Sequence, residues 1–233
     1  MKSIVILPTY NEKENIRKIV SLILGLNKKI NILIVDDGSP DGTGRIAEKL
    51  AKKHHQEVFV LHRKSKDGLG RAYVAGFKWA IDHNYEVIIQ MDADLSHDPK
   101  YLGIMLSKIK ENDLVIGSRY IKGGGTLGWG TKRKLLSRSG SLYAKIILGL
   151  PLNDLTGGFK CWRASLLKKI NPDSITSNGY SFQIEMNYRA YKHGAKIKEM
   201  PIIFVDRALG KSKMNQNIIW EAMWKVWKLK LGK

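Results

Sequence analysis

The sequence predicts an α/β fold, a mainly parallel sheet flanked by helices with an amphipathic helix at the C-terminal end, and three observations carry that prediction. Short β-branched runs alternate with helical patterns through the first half, as βαβ units do. Polar segments, one of them Gly-bearing, follow three of those runs directly, where open α/β sheets place their ligand-binding loops. At 233 residues, with 43% hydrophobic and 26% charged side chains, the chain is long enough and apolar enough to bury a substantial core. No repeat or low-complexity stretch divides it, so residues 1–233 are expected to form one domain.

The elements follow in order. Residues 3–7 read as the first strand, and Ile16, Ile19, Val20, Ile23 and Leu24 then recur at helical spacing. Residues 32–35 read as the second strand, with a helix through Ile46, Ala47, Leu50 and Ala51 behind it. Strands at 58–61, 87–91 and 114–116 continue the alternation, and Leu102, Met105, Leu106 and Ile109 mark the crossover helix between the last two. The segments 8–12, 36–43 and 92–99 end three strands and should share one crevice. Beyond Ile116 the character changes. Glycines from Gly123 to Gly130 predict a mobile loop, and a basic amphipathic helix over 132–150 follows, with the apolar pairs Leu135/Leu136, Leu142/Tyr143 and Ile146/Ile147 beside Lys132, Arg133, Lys134, Arg138 and Lys145. A helix over 182–192, a strand over 202–205 and a terminal helix from about Asn217 complete the reading.

Composition narrows the class of function. Forty Lys and Arg against 21 Asp and Glu give a formal charge of +19, which attracts nucleic acid, phosphorylated substrates or an acidic membrane surface. The single Cys161 excludes an internal disulfide and fits a reducing compartment. The apolar start is cut short by Pro8, so neither a signal peptide nor a transit peptide is expected. No apolar run approaches the roughly 18–20 residues that span a bilayer, so membrane contact is expected to be peripheral or through a membrane subunit.

The chemistry concentrates in acidic loops. Asp92-Ala93-Asp94 follows the apolar run 87–91, and two like charges this close repel unless a cation sits with them. A hard divalent ion completed by substrate phosphates relieves that repulsion, with Mg²⁺ and Mn²⁺ the natural candidates. Taken alone, an Asp-x-Asp is more often a solvated turn, and Asp98-Pro99 also starts a helix. A second acidic pair at Asp36-Asp37-Gly38-Ser39, again at a strand end, shifts the balance toward a sugar-nucleotide site, where a carboxylate such as Asp37 accepts hydrogen bonds from base or ribose.

Pro8-Thr9-Tyr10-Asn11-Glu12, Asp36-Asp37-Gly38-Ser39-Pro40-Asp41-Gly42-Thr43, Gly68-Leu69-Gly70, Met91-Asp92-Ala93-Asp94-Leu95-Ser96-His97 and Gly117-Ser118-Arg119-Tyr120 together resemble the family-2 inverting glycosyltransferases with the GT-A fold. The resemblance runs on through Asp154-Leu155-Thr156-Gly157-Gly158-Phe159 to Asp206-Arg207 and Gly210-Lys211-Ser212-Lys213, nearly the whole chain. Within that family it is similar to the branch that moves mannose from GDP-mannose to dolichyl or another polyprenyl phosphate; UDP-glucose is the alternative donor. The resemblance implies a guanosine pocket of Pro8, Tyr10, Glu12, Val35 and Asp37, and a metal and diphosphate site at Asp92, Ala93 and Asp94. It also implies that Arg119, Arg207 and Lys213 face the phosphates as catalytic residues beside Asp92 and Asp94. Some relatives carry Gln where Ser96 stands, which bears on the choice between Mg²⁺ and Mn²⁺. Others append transmembrane helices that have no counterpart here, which implies a cytoplasmic enzyme held peripherally at the cytoplasmic face of a membrane.

The terminal helix places Trp220, Trp224, Trp227 and Leu231 on one stripe with Lys225 and Lys228 across from it. That pattern suits a membrane interface and equally a helix docked on the domain or a partner. The six histidines show no metal-ligand spacing and most read as solvated; His97, beside the acidic motif, is a candidate phosphate contact. Gly210-Lys211-Ser212 lacks the upstream glycine of a phosphate loop, and Gly68-Leu69-Gly70 has Tyr73 where a dinucleotide fingerprint needs glycine. A non-catalytic protein binding nucleic acid or membrane through its charge is the competing class; the acidic loops would repel nucleic-acid phosphate, so no nucleic-acid partner is expected.

Overall fold

The computed structural model describes residues 1–26, 28–175, 177–206 and 216–231, with residues 216–222 as backbone. The first half runs β1 (Ser3–Thr9), α1 (Ile16–Leu24), β2 (Ile30–Asp36), α2 (Thr43–Lys53), β3 (Val58–His62), α3 (Leu69–Asp82), β4 (Val87–Gln90), α4 (Leu102–Lys108) and β5 (Leu114–Ser118). The second half runs β6 (Gly125–Leu127), α5 (Thr131–Leu148), β7 (Lys160–Arg163), α6 (Ala164–Ile170), α7 (Gly179–Lys192), β8 (Ile197–Pro201), β9 (Ile203–Val205) and α8 (Gln216–Lys230). The main sheet has the order β3-β2-β1-β4-β7-β5-β8, and β6 pairs with β9 in a small second sheet. All pairings are parallel except those of β7, which is antiparallel to both neighbours.

The central strands are apolar on both faces because helices cover both. Along β1, Ile4 and Ile6 join the cluster under α3, α6 and α7, while Val5 and Leu7 join the one under α1 and α4. In β2, Leu33 and Val35 divide from Ile32 and Ile34 in the same way. Ile16, Ile19, Val20 and Ile23 of α1 are buried at the spacing their periodicity predicts.

Differences from the sequence reading have physical causes. The helix α3 is buried on most of its circumference and carries Gly70 and Gly76, so it shows no clean apolar stripe. A Cβ on Gly76 would stand 2.7 Å from Ile6 Cγ2, which shows how closely α3 lies on the sheet. The strand β7 reads Lys-Cys-Trp-Arg, without a β-branched residue, yet it sits in the middle of the sheet. The expected mobile loop instead contains β6. Its glycines answer a backbone approach: a Cβ on Gly124 would stand 2.5 Å from the Ser118 carbonyl oxygen.

At the C-terminal end, α8 turns buried Val226 and partly buried Leu229 to the core, and Trp224, Trp227 and Leu231 stay exposed. No helix among the described residues is long and apolar enough to cross a membrane.

Candidate active site

Parallel pairing of β1 with β2 and β4 brings the loops after these strands to one edge of the sheet. A cavity of about 390 Å³ opens there, within the size range of small-molecule sites. Pro8, Tyr10, Glu12, Asp37, Asp92, Ala93 and Asp94 line it, so seven of the expected donor-site residues meet in one place. Val35 does not. It is wholly buried in β2, within the core beneath α3, and reaches the site only by holding the strand that carries Asp37.

The first wall is stitched by side chain to backbone bonds. Asp36 accepts from Thr9 Oγ1 at 3.0 Å, from Ser39 Oγ at 2.6 Å and from Ser39 N at 3.1 Å. Asn11 N donates to Ser39 Oγ, Glu12 N to Thr43 Oγ1 and Lys13 N to Asp41. Asp37 therefore does not share the role of Asp36. It accepts from Arg63 Nη1 at 2.7 Å, and burial pushes its carboxyl above the usual range although Arg63 pulls it down. Lys66 lies 4.1 Å over the Tyr10 ring.

The floor is the loop after β4. Tyr73 OH donates to Asp92 Oδ1 at 3.0 Å; burial first, and then the Asp92 charge, push the phenol pKa well up, so Tyr73 remains a donor. Ser96 donates through both N and Oγ to Asp94 Oδ1. Leu95 sits between at φ 65°, a left-handed backbone that costs an L-residue about 1–2 kcal/mol. Strain of this kind persists where surrounding contacts over-determine a functional turn.

His97 is 2% exposed, stacked on Phe159, and accepts the Asp92 backbone N–H at Nδ1, 3.2 Å away. An imidazole that accepts at Nδ1 is neutral and carries its proton on Nε2, and burial lowers its pKa in agreement.

Arg119 forms a buried fork with Asp154, Nε to Oδ2 and Nη2 to Oδ1 each at 2.7 Å. Burial alone would raise Asp154; the Arg119 charge and the N–H groups of Arg119 and Gly157 more than offset that and hold it below its ordinary value. Arg119 Nη2 also donates to Thr156 Oγ1. The pair thus moulds the loop 154–158, whose Thr156 and Gly158 form another wall of the cavity. Arg207 and Lys213 lie outside the described residues.

Several lining residues gave no sequence signal. Gly179, Tyr180 and Gln183 come from the start of α7, and Arg133 comes from α5, where it read as one of many surface cations. Arg133 donates to both oxygens of Asp206 at 2.8 and 2.9 Å and lies 4.2 Å over Trp129. Its Nε is buried without an acceptor among the described residues.

A model of the family described as glycosyl transferase family 2 matches residues 4–170. The chain belongs to glycosyl transferase family 2. It is 46% identical over 223 residues to the undecaprenyl-phosphate mannosyltransferase of Micrococcus luteus, covering 96% of this chain and 91% of that protein. It is 44% identical over 226 residues to the polyprenol monophosphomannose synthase of Mycolicibacterium smegmatis, covering 97% and 85%. Its backbone is similar to that of a mannosyltransferase from Pyrobaculum calidifontis in complex with GDP-Man and Mn²⁺, with a TM-score of 0.68 at 16% identity over 100% of this chain and 64% of that one. The architecture is the GT-A fold.

The site of this glycosyltransferase fits a divalent cation of one kind. Asp92 and Asp94 both line the cavity, and no group of three or more His, Cys, Asp or Glu gathers among the described residues. Two carboxylates alone do not make a closed structural zinc site. They suit a Mg²⁺- or Mn²⁺-like ion that takes its remaining ligands from phosphate oxygens and water.

Proposed function

We propose that this glycosyltransferase moves mannose from GDP-mannose to the phosphate of a polyprenol, dolichol or its bacterial counterparts, with inversion at the anomeric carbon. The convergence of three strand-end loops on one cavity containing Asp92 and Asp94 carries the reading, and the names of the two relatives support the sugar and the acceptor. Pro8, Tyr10, Glu12 and Asp37 hold the nucleoside, with Arg63 fixing the orientation of Asp37. Asp92 and Asp94 hold Mg²⁺ or Mn²⁺, which when bound offsets charge on the leaving diphosphate.

No general base is required. The second pKa of a phosphate monoester is about 6, so the acceptor is largely dianionic at pH 7 and attacks as it stands. Its oxygen bonds to the anomeric carbon as the bond to the diphosphate breaks, and that electron pair leaves with GDP. The protein's share is alignment. Asp92 is set by Tyr73 and Asp94 by Ser96, while Arg119 acts through Asp154 to shape the facing loop. Arg207 and Lys213 are the remaining candidates for the acceptor phosphate, joined by Arg133 at the cavity wall.

The acceptor's hydrocarbon chain calls for a membrane surface, and α5 and α8 supply one. Leu135, Leu142 and Ile146 are 71%, 53% and 70% exposed on a helix rich in Lys and Arg, and Trp224 is 65% exposed on α8. Indole and leucine at headgroup depth beside lysines bind an acidic leaflet. These exposed side chains support the reading of an enzyme held peripherally at the cytoplasmic face of a membrane.

The deciding assay offers GDP-mannose or UDP-glucose with a short polyprenyl phosphate and Mn²⁺ or Mg²⁺. Transfer from GDP-mannose is expected, with Asp94→Asn lowering kcat/KM at least about a hundredfold while the circular dichroism stays unchanged. Transfer from UDP-glucose alone replaces the donor, and no turnover with any lipid phosphate overturns the acceptor.

A further inference from the structure

A buried polar relay runs from the middle of the sheet to the cavity wall. Trp162 Nε1 donates to Gln90 Oε1 at 3.3 Å, and Gln90 Nε2 donates to Gln183 Oε1 at 2.8 Å. Lys160 Nζ donates to that same oxygen at 2.7 Å and to the Gln183 carbonyl oxygen at 3.1 Å. Gln183 is 3% exposed and the other three are 0% exposed. Antiparallel register creates the cluster: Gln90 stands opposite Lys160, and Ile88 opposite Trp162, which turns these side chains toward α7.

The relay has a direction, and chemistry fixes it. An indole offers only a donor, so Gln90 must present Oε1 to Trp162 and its NH₂ to Gln183. Gln183 Oε1 is then occupied twice, by Gln90 and by Lys160. Its own NH₂ is left pointing the other way, into the cavity that Gln183 lines, and no acceptor among the described residues takes it. Gly158 keeps that side open. A Cβ there would stand 3.5 Å from both Gln183 Nε2 and Asp92 Oδ2, so amide and carboxylate flank one narrow space.

Burying a lysine to orient one amide is costly, because hydrocarbon of similar volume would pack the sheet without desolvating a charge. The fold alone gives no reason for it.

We infer that Gln183 binds the sugar being transferred, its NH₂ donating to a hydroxyl of the hexose, and that Lys160 and Gln90 are positioning residues that stop the amide from flipping. The inference rests on the donor reading above. With the nucleoside against the loops after β1 and β2 and the diphosphate at Asp92 and Asp94, the hexose is the next group along, against Gly158 and α7.

The test compares binding of GDP and of GDP-mannose, each with Mn²⁺, by calorimetry, alongside transfer kinetics. Gln183→Glu keeps the shape and gains an ion pair with Lys160, so folding is retained while a donor becomes an acceptor. It is expected to bind GDP within about twofold of wild type and GDP-mannose at least about tenfold more weakly, the loss of one hydrogen bond plus a misplaced acceptor. Lys160→Met, which lets the amide turn, is expected to shift the same ratio in the same direction by a smaller factor. Equal losses for GDP and GDP-mannose, or no loss in either variant, overturn the inference. A wild-type enzyme that binds a different sugar nucleotide overturns the donor reading alone; the comparison is then made with that nucleotide, with and without its sugar, and the same ratio decides.

Discussion

Lys160 is wholly buried in β7, and desolvation lowers its pKa to about 7, with Asp154, itself paired to Arg119, pulling weakly the other way. In the unfolded chain the same amine titrates near its ordinary 10.5. Below pH 7 both states carry the proton; between 7 and 10.5 only the unfolded state does, so stability rises with pH across that window. Urea unfolding at a series of pH values should therefore show wild type gaining on Lys160→Met as pH climbs from 7 to 10.5, and a constant difference would mean that the amine is solvated. At this scale the sequence was legible where a residue type carries its own chemistry. Asp92, Asp94 and Asp37 declared themselves as paired carboxylates at strand ends, whereas Lys160 and Gln183 did not, because a lysine beside a cysteine or a glutamine in a helix has many ordinary uses. Arg119 was noticed for its charge, and its buried partner Asp154 changed what that charge does.

Elements with one buried face were readable, and those buried all round were not. The apolar stripe of α1 predicted itself; α3, packed by two glycines against the sheet and α7, left no stripe to find. Two substitutions separate these situations. Gly76→Ala places a methyl 2.7 Å from Ile6 Cγ2 and 3.3 Å from Val35 Cγ2, and overpacking of about 1–3 kcal/mol should exceed the helix-propensity gain of about 1 kcal/mol. Gly140→Ala on exposed α5 meets nothing within 4 Å, so the propensity gain stands alone and the enzyme should be more stable by about 0.5–1 kcal/mol. Thermal unfolding of both variants checks the pair, and a rise in Tm for Gly76→Ala would show that α3 has room to move away.

For the whole molecule, the proposed membrane contact predicts that a charge of +19 and the exposed apolar residues of α5 and α8 act together in binding acidic vesicles. Cosedimentation should be strong on phosphatidylserine-containing vesicles, weaker on neutral ones, and should fall as salt rises, since each lysine near the surface adds about 1 kcal/mol at low screening. Ile146→Glu and Trp224→Ala should each reduce it without altering turnover of a water-soluble short-chain acceptor. Binding that ignores both salt and these changes would move the contact elsewhere.

The sequence by itself determined the parallel α/β plan, the family and the acidic loops, because hydrophobic period and strand-end chemistry are written in neighbouring residues. Only the tertiary structure decided that Arg119 is spent on Asp154, and that Gln183 and Arg133 reach the cavity. Those outcomes depend on strand order and register, which bring together residues tens of positions apart, and no local pattern records which distant partner a side chain will meet.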